Sequence, residues 1–342
     1  MAYSHRRVGE TLEIQDALKV LKHVFPNEEV SLLGKNPIHK IGGGKCRDCY
    51  RLKTEKGDLV VTFFTFNWQS ADPAALHDLQ KQLFQHNISV PQMIGEPGIL
   101  GTTPFEVTRY IPQTPSTRPS TQQLRHLAFE LGRLHKIGDD IELPPNFNTG
   151  RDLVQAAKLG HRILTSANAA PSFSYVSNTS LRTLFEHAVS SVKTALKKHA
   201  LPEGFVHGDM NLSNVLFQDE KPILLDWERA RKDCYLMEVT KAIMEFIILP
   251  NLVTGRSVPR SDINTFIVNY DRVRPLTPEE KKIFPEALKY QAVRCAGKEP
   301  IILGRYPRLP QGVSLLTEVS VLSREINIDK ILKDRDNSIQ TP

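Results

Sequence analysis

At 342 residues, with 40% hydrophobic and 24% charged side chains, the chain has the balance of a soluble globular protein and enough length for two lobes, which sets aside disordered and fibrous classes. Its formal charge of +6 comes from 44 Lys and Arg scattered among 38 acids, which suits small anions such as phosphates better than a nucleic-acid backbone. Four cysteines make no disulfide framework, no apolar run follows the arginines of "MAYSHRRVGETLEI", and no span of about 18 apolar residues occurs, so a cytoplasmic protein without membrane or nucleic-acid partners is expected.

Taken in order, Ile14, Ala17, Leu18, Leu21 and Val24 recur at helical spacing and predict an amphipathic helix over 13–24. "KIGGGKCRDCYRLKTEKGDLVVTFFTF" reads as a glycine-rich hairpin leading into a third strand over 59–66. Within it, Cys46 and Cys49 form a lone C-x-x-C without a second Cys/His pair at finger-like spacing, and are expected to be small residues beside a glycine turn rather than a redox or zinc centre. Leu76, Leu79 and Leu83 predict a second helix, and "FEVTRYIP" a strand ended by Pro112. The segment "PQTPSTRPS" is a connector, and the boundary between lobes is placed there. Ser120 and Gln123 form a capping box for a helix carrying Leu124, Leu127, Ala128, Leu131 and Leu134. Beyond it the pattern is helical apart from two short strands, "NVLF" and "PILLDW", around an acidic turn. The expected division is a β-rich lobe over 1–111, a helical lobe over 112–330 and a flexible tail over 331–342.

"FVHGDMNLSNVLFQDEKPILLDWERA", residues 205–230, concentrates polar groups in short breaks between apolar runs. The order His207-x-Asp209-x4-Asn214, then Asp226 after a turn, has the spacing of a kinase catalytic loop and its metal-binding segment. Phosphoryl transfer needs a divalent magnesium ion on phosphate oxygens, for which the hard oxygens of Asn214 and Asp226 are suited. It also needs a carboxylate to orient the acceptor hydroxyl and take its proton, the role expected of Asp209. His207, and His135 in "LGRLHKI", are expected to be structural.

Together, "HGDMNLSNVLF", "LLDWERA" and the upstream "LGRLHKI" resemble the aminoglycoside phosphotransferase and choline kinase-like superfamily over residues 35–295. The resemblance implies an α+β, bilobal protein-kinase-like fold, with a small β-rich N-lobe and a larger helical C-lobe. It also implies ATP and Mg2+ as cofactors, Asp209 as catalytic base, and Asn214 and Asp226 as metal ligands. "GDLVVTFFTF", "LFQHNISVPQMI" and "YDRVRPLTPEEKKIFPEAL" look most like the homoserine kinase branch.

The chain departs from the pattern in places. Thr62 stands where the ATP-gripping lysine is expected, as in the homoserine kinase-like branch, and a neutral hydroxyl cannot offset triphosphate charge. Lys45, directly after Gly42, Gly43 and Gly44, is the candidate replacement, with a solvated surface lysine as the competing reading; the three glycines are the candidate nucleotide loop. "GGGKC" is not a P-loop, because His39 occupies its first glycine position and Cys46 its Ser/Thr. Asp78 aligns with the acid that would partner the lysine, with an exposed helix acid as the equal alternative, and Glu238 replaces the usual Asp after the metal segment. Two functions remain open: a small-molecule kinase phosphorylating homoserine or another amino alcohol, with Glu228 and Asp233 as acids for an amino group, or a catalytically silent nucleotide-binding scaffold.

Overall fold

Alternation between buried and half-buried side chains along 47–52, beside a segment 59–64 that is buried at every position but Val60, is what builds the first part of the fold. In the computed structural model, which describes residues 11–43, 47–64, 73–112, 118–144, 147, 179–198, 201–297 and 312–339, the chain divides into two compact units. One comprises Met1–Thr114, Ile141–Phe147 and Ile223–Arg229, and the other Pro115–Asp140, Asn148–Pro222 and Ala230–Pro342. The first unit thus includes two later segments that a linear division at 111/112 leaves out.

In that unit helix α1 (Ile14–Val24) precedes strands β1 (Ile38–Gly43), β2 (Arg47–Leu52) and β3 (Leu59–Phe64), helix α2 (Pro73–Gln85), and strands β4 (Gly98–Leu100) and β5 (Thr103–Arg109). The strands form one antiparallel sheet in the order β1-β2-β3-β5-β4. Because successive side chains point to opposite faces, Tyr50, Leu52, Val61, Phe63, Phe105 and Val107 share one face, and with Val20 and Leu21 of α1 they make the core. The other face carries Arg47, Cys49, Thr62 and Glu106, with Cys49 opposite Thr62 and Thr62 opposite Glu106. The helix stripe is narrower than its sequence suggests: Ala17, Val20, Leu21 and Val24 are buried, while Ile14 and Leu18 are exposed.

The second unit opens with α3 (Thr121–Lys136), whose capping box is formed as expected: the Gln123 amide donates to Ser120 Oγ at 3.1 Å and the Ser120 amide to Gln123 Oε1 at 2.9 Å. Then come α4 (Thr179–Lys197), β6 (Glu203–Val206), β7 (Val215–Gln218), β8 (Lys221–Leu224), whose last two residues belong to the first unit, and β9 (Arg231–Cys234). Helix α5 (Tyr235–Ile243) runs through a π-helical turn, Met244–Ile248, into α6 (Leu249–Val253). Helices α7 (Arg260–Asp271), α8 (Pro278–Gly297), α9 (Gly312–Glu325) and α10 (Ile328–Ile339) complete it.

The β6–β9 pair was not legible in the sequence: both strands are four residues long, and "RKDC" has no β signature until Gly204 is placed opposite Asp233. The stretch expected to fray from residue 331 is helical through Ile339, with Leu332 buried. Among the described residues no helix is long and apolar enough to cross a membrane.

Gly132 in α3 lets this helix approach the end of α7: a Cβ there would lie 2.9 Å from Val273 Cβ and 3.1 Å from the Tyr270 carbonyl oxygen. Helix propensity alone would make Gly132→Ala stabilising by about 1 kcal/mol. Overpacking costs about 2 kcal/mol and has the opposite sign. The variant is therefore expected to be less stable than wild type in urea denaturation; a higher midpoint would show that the contact yields.

Candidate active site

The loop after β6 is organised by one carboxylate. Glu238, on α5, is 5% exposed and accepts from the His207 amide at 3.0 Å, the Gly208 amide at 2.6 Å and His135 Nε2 at 3.0 Å. Since a carboxylate only accepts, His135 carries its proton on Nε2, and its Nδ1 accepts a hydrogen bond from the Tyr270 hydroxyl at 2.7 Å. Burial pushes the His135 pKa down, so the ring is neutral. Burial alone would raise the Glu238 carboxyl, but the hydrogen bonds donated by His135 and the Gly208 amide, with the electrostatic pull of the neighbouring histidines, hold it well below its ordinary value. The glutamate in place of the expected aspartate therefore keeps the buried contact, and both histidines sit in structural positions.

Gly208 turns the chain at φ 81°, a left-handed conformation that costs glycine nothing. Asp209 and Asn214 are then drawn together by the loop itself. The Asn214 side-chain amide donates to the Asp209 carbonyl at 2.9 Å, and Asn211 donates to the same oxygen at 2.8 Å while its own oxygen caps Ser213. The His207 ring accepts the Asp209 amide at 3.2 Å. With its NH2 group committed to Asp209, Asn214 has its carbonyl oxygen, which accepts from Ser213 Oγ at 3.4 Å, as the end that fits a hard cation.

Three cations that sequence pattern did not single out surround this loop. Lys241 Nζ donates to Asp209 Oδ1 at 2.8 Å. Arg231 donates to Asp233 at 2.8 Å and to the Gly208 carbonyl at 3.3 Å. Arg294 lines the same hollow as Gly208, Arg231, Glu238 and Lys241, and its Nε is buried without a hydrogen-bond partner among the described residues. Lys241 follows Glu238 by three residues, a helical spacing that places both on one face and was the available signal. Asp233, read as an acid for an amino group, is buried and already engaged by Arg231 and the Cys234 amide.

Asp226 belongs to the first unit. It follows β8 with φ 65°, a left-handed conformation strained for a non-glycine residue, in a turn closed by the Trp227 indole donating to the Leu224 carbonyl at 3.2 Å. Its carboxylate is ion-paired with the Arg47 guanidinium. Glu106 lies opposite Thr62 and receives a hydrogen bond from Gln80 at 3.4 Å; burial pushes its pKa up to about 7. Asp78, read either as the lysine's partner or as an exposed helix acid, is exposed, and Gln80 of α2 reaches Glu106 instead. Glu228 lies in the half-buried turn after Asp226.

Gly42 and Gly43 close β1, paired with Cys49 and Asp48 across a register shift, whereas Gly44, Lys45 and Cys46 lie outside the described residues. Burial raises the Cys49 thiol pKa, and its sulfur lies 3.7 Å from the Thr62 hydroxyl, which suits a small packed residue rather than a reactive thiol.

A family model described as "Phosphotransferase enzyme family" matches residues 38–275. The chain is 23% identical over 263 residues to a homoserine kinase of Methylobacillus flagellatus, covering 75% of this chain and 77% of that protein. It is 24% identical over 276 residues to a homoserine kinase of Neisseria meningitidis serogroup B, covering 78% and 82%. Among solved structures, amicoumacin kinase hAmiN in complex with AMP-PNP, Ca2+ and Ami matches with a TM-score of 0.58 at 14% identity, over 93% of this chain and 95% of that one. Choline kinase from Cryptosporidium parvum Iowa II matches with a TM-score of 0.58 at 12% identity, over 94% and 98%. The kinase-like α+β fold expected from the sequence is the fold of these structures.

Because the Glu238 carboxyl titrates at about 2 in the folded chain against an ordinary 4.5, its stabilisation is fully present above pH 4.5 and is lost as pH falls toward 2. Glu238→Gln is expected to cost roughly 3 kcal/mol at pH 7. The gap from wild type should close as pH drops through that window in denaturation series; a gap independent of pH would contradict an ionised Glu238.

Proposed function

The chain belongs to the phosphotransferase enzyme family, and from that membership we propose that it is an ATP- and magnesium-dependent kinase phosphorylating the hydroxyl of homoserine or a closely related amino alcohol. The observation that carries the reading is the Asp209–Asn214 loop, rigidly hung from Glu238. Asp209 would orient the acceptor hydroxyl and take its proton as the bond to phosphorus forms. Lys241 holds Asp209 Oδ1 and so sets the orientation of the carboxylate. Asn214 in the second unit and Asp226 in the first are each proposed as magnesium ligands, and magnesium would supply charge neutralisation on phosphate oxygens.

Curated relatives named homoserine kinases favour a small hydroxylated amino acid as the acceptor. Lys241 and Arg231 are held by Asp209 and Asp233, so they set the field around the loop. The scaffold reading rests on Thr62 alone, and an ordered Asp209–Asn214 loop favours turnover.

ADP release with Mg2+ and ATP, across hydroxylated amino acids, choline-like amines, sugars and aminoglycosides, tests the reading. Turnover is expected with homoserine or a near relative, falling about 10²- to 10⁴-fold in Asp209→Asn; no turnover with any acceptor would count against it.

A further inference from the structure

On strand β3 the position that carries the phosphate-binding lysine in protein kinases is occupied by Thr62, and its neighbours indicate where the charge comes from. We infer that Arg47, from the adjacent strand β2, is the cation that binds the nucleotide's polyphosphate in this chain, an inference that rests on the ATP-dependent kinase reading.

The register carries the first step. Cys49 pairs with Thr62 and Arg47 with Phe64, so Arg47 stands two residues along β2 from the partner of Thr62. Residues two apart on a strand share a face, and diagonal cross-strand neighbours are about 7–8 Å apart, well within the reach of an arginine. A cation lost from Thr62 is thereby regained from the same face of the sheet by the longer side chain.

The charges around Arg47 carry the second step. Its guanidinium is ion-paired with Asp226, and Glu228 and Glu106 add to the negative field on it. Asp226 is the carboxylate assigned to magnesium. Were that carboxylate to hold magnesium, Arg47 would be left to donate to phosphate oxygens. A guanidinium offers parallel donors to two such oxygens, which an ammonium cannot. In the free chain the same ion pair offsets the repulsion between Asp226 and its acidic neighbours, so Arg47 has a role in both states.

The test is equilibrium binding of ATP, ADP and adenosine, each with Mg2+, to wild type, Arg47→Ala, Arg47→Lys and Lys45→Ala. Arg47→Ala is expected to weaken ATP and ADP about 10- to 100-fold while leaving adenosine within about twofold, which also reports that the base and ribose site is intact. Arg47→Lys should recover part of the loss, because charge returns without the planar fork. Equal ATP affinity in Arg47→Ala and wild type, or a loss that appears in Lys45→Ala instead, overturns the assignment while leaving the kinase reading standing. Failure of wild type to bind ATP overturns both, and is a different result. Equal weakening of adenosine and ATP in Arg47→Ala would make the residue structural and also overturn the assignment.

Discussion

The buried carboxylate of Glu238 is the constraint on which the second unit depends. It gathers one helix side chain, His135, and two loop amides, His207 and Gly208, at a point 5% exposed to solvent. Unpaired, each of those donors would cost about 1–3 kcal/mol in such a place, so the loop has no comparable alternative position. The neutral His135 ring extends the chain of hydrogen bonds to Tyr270, tying the loop to the packed faces of α3 and α7. Asp209 and Asn214 are placed by this framework rather than by their own preferences.

In the first unit the organising element is the two-sidedness of the sheet. One face is spent on aromatic and aliphatic packing against α1 and is fixed by the burial of Tyr50, Phe63 and Phe105. The opposite face is thereby released for polar chemistry, and pairing sets Cys49, Thr62 and Glu106 in a row across it. Arg47 answers the acids of this face, including the strained Asp226. Arg47, on the neighbouring strand, is the cation that the register sets on the same side of the sheet as Thr62.

Much of this was legible in the residue order. The spacing His207-x-Asp209-x4-Asn214 and the later Asp226 depend on local chain length alone, since a tight loop brings groups five residues apart together wherever it is placed. The capping box at Ser120 and the apolar stripe of α3 are likewise local and appeared as expected. Tertiary structure decided what depends on long-range pairing. Strand register made Arg47 the neighbour of Thr62, and helix packing turned Asp78 to solvent and Gln80 inward. The fold committed Asp233 to Arg231 and brought Lys241 onto Asp209. The sequence by itself determined which groups of the phosphotransferase loop are present, because their spacing is a property of the chain. Which charges stand beside them was decided only by the fold, because an ion pair depends on distance in space.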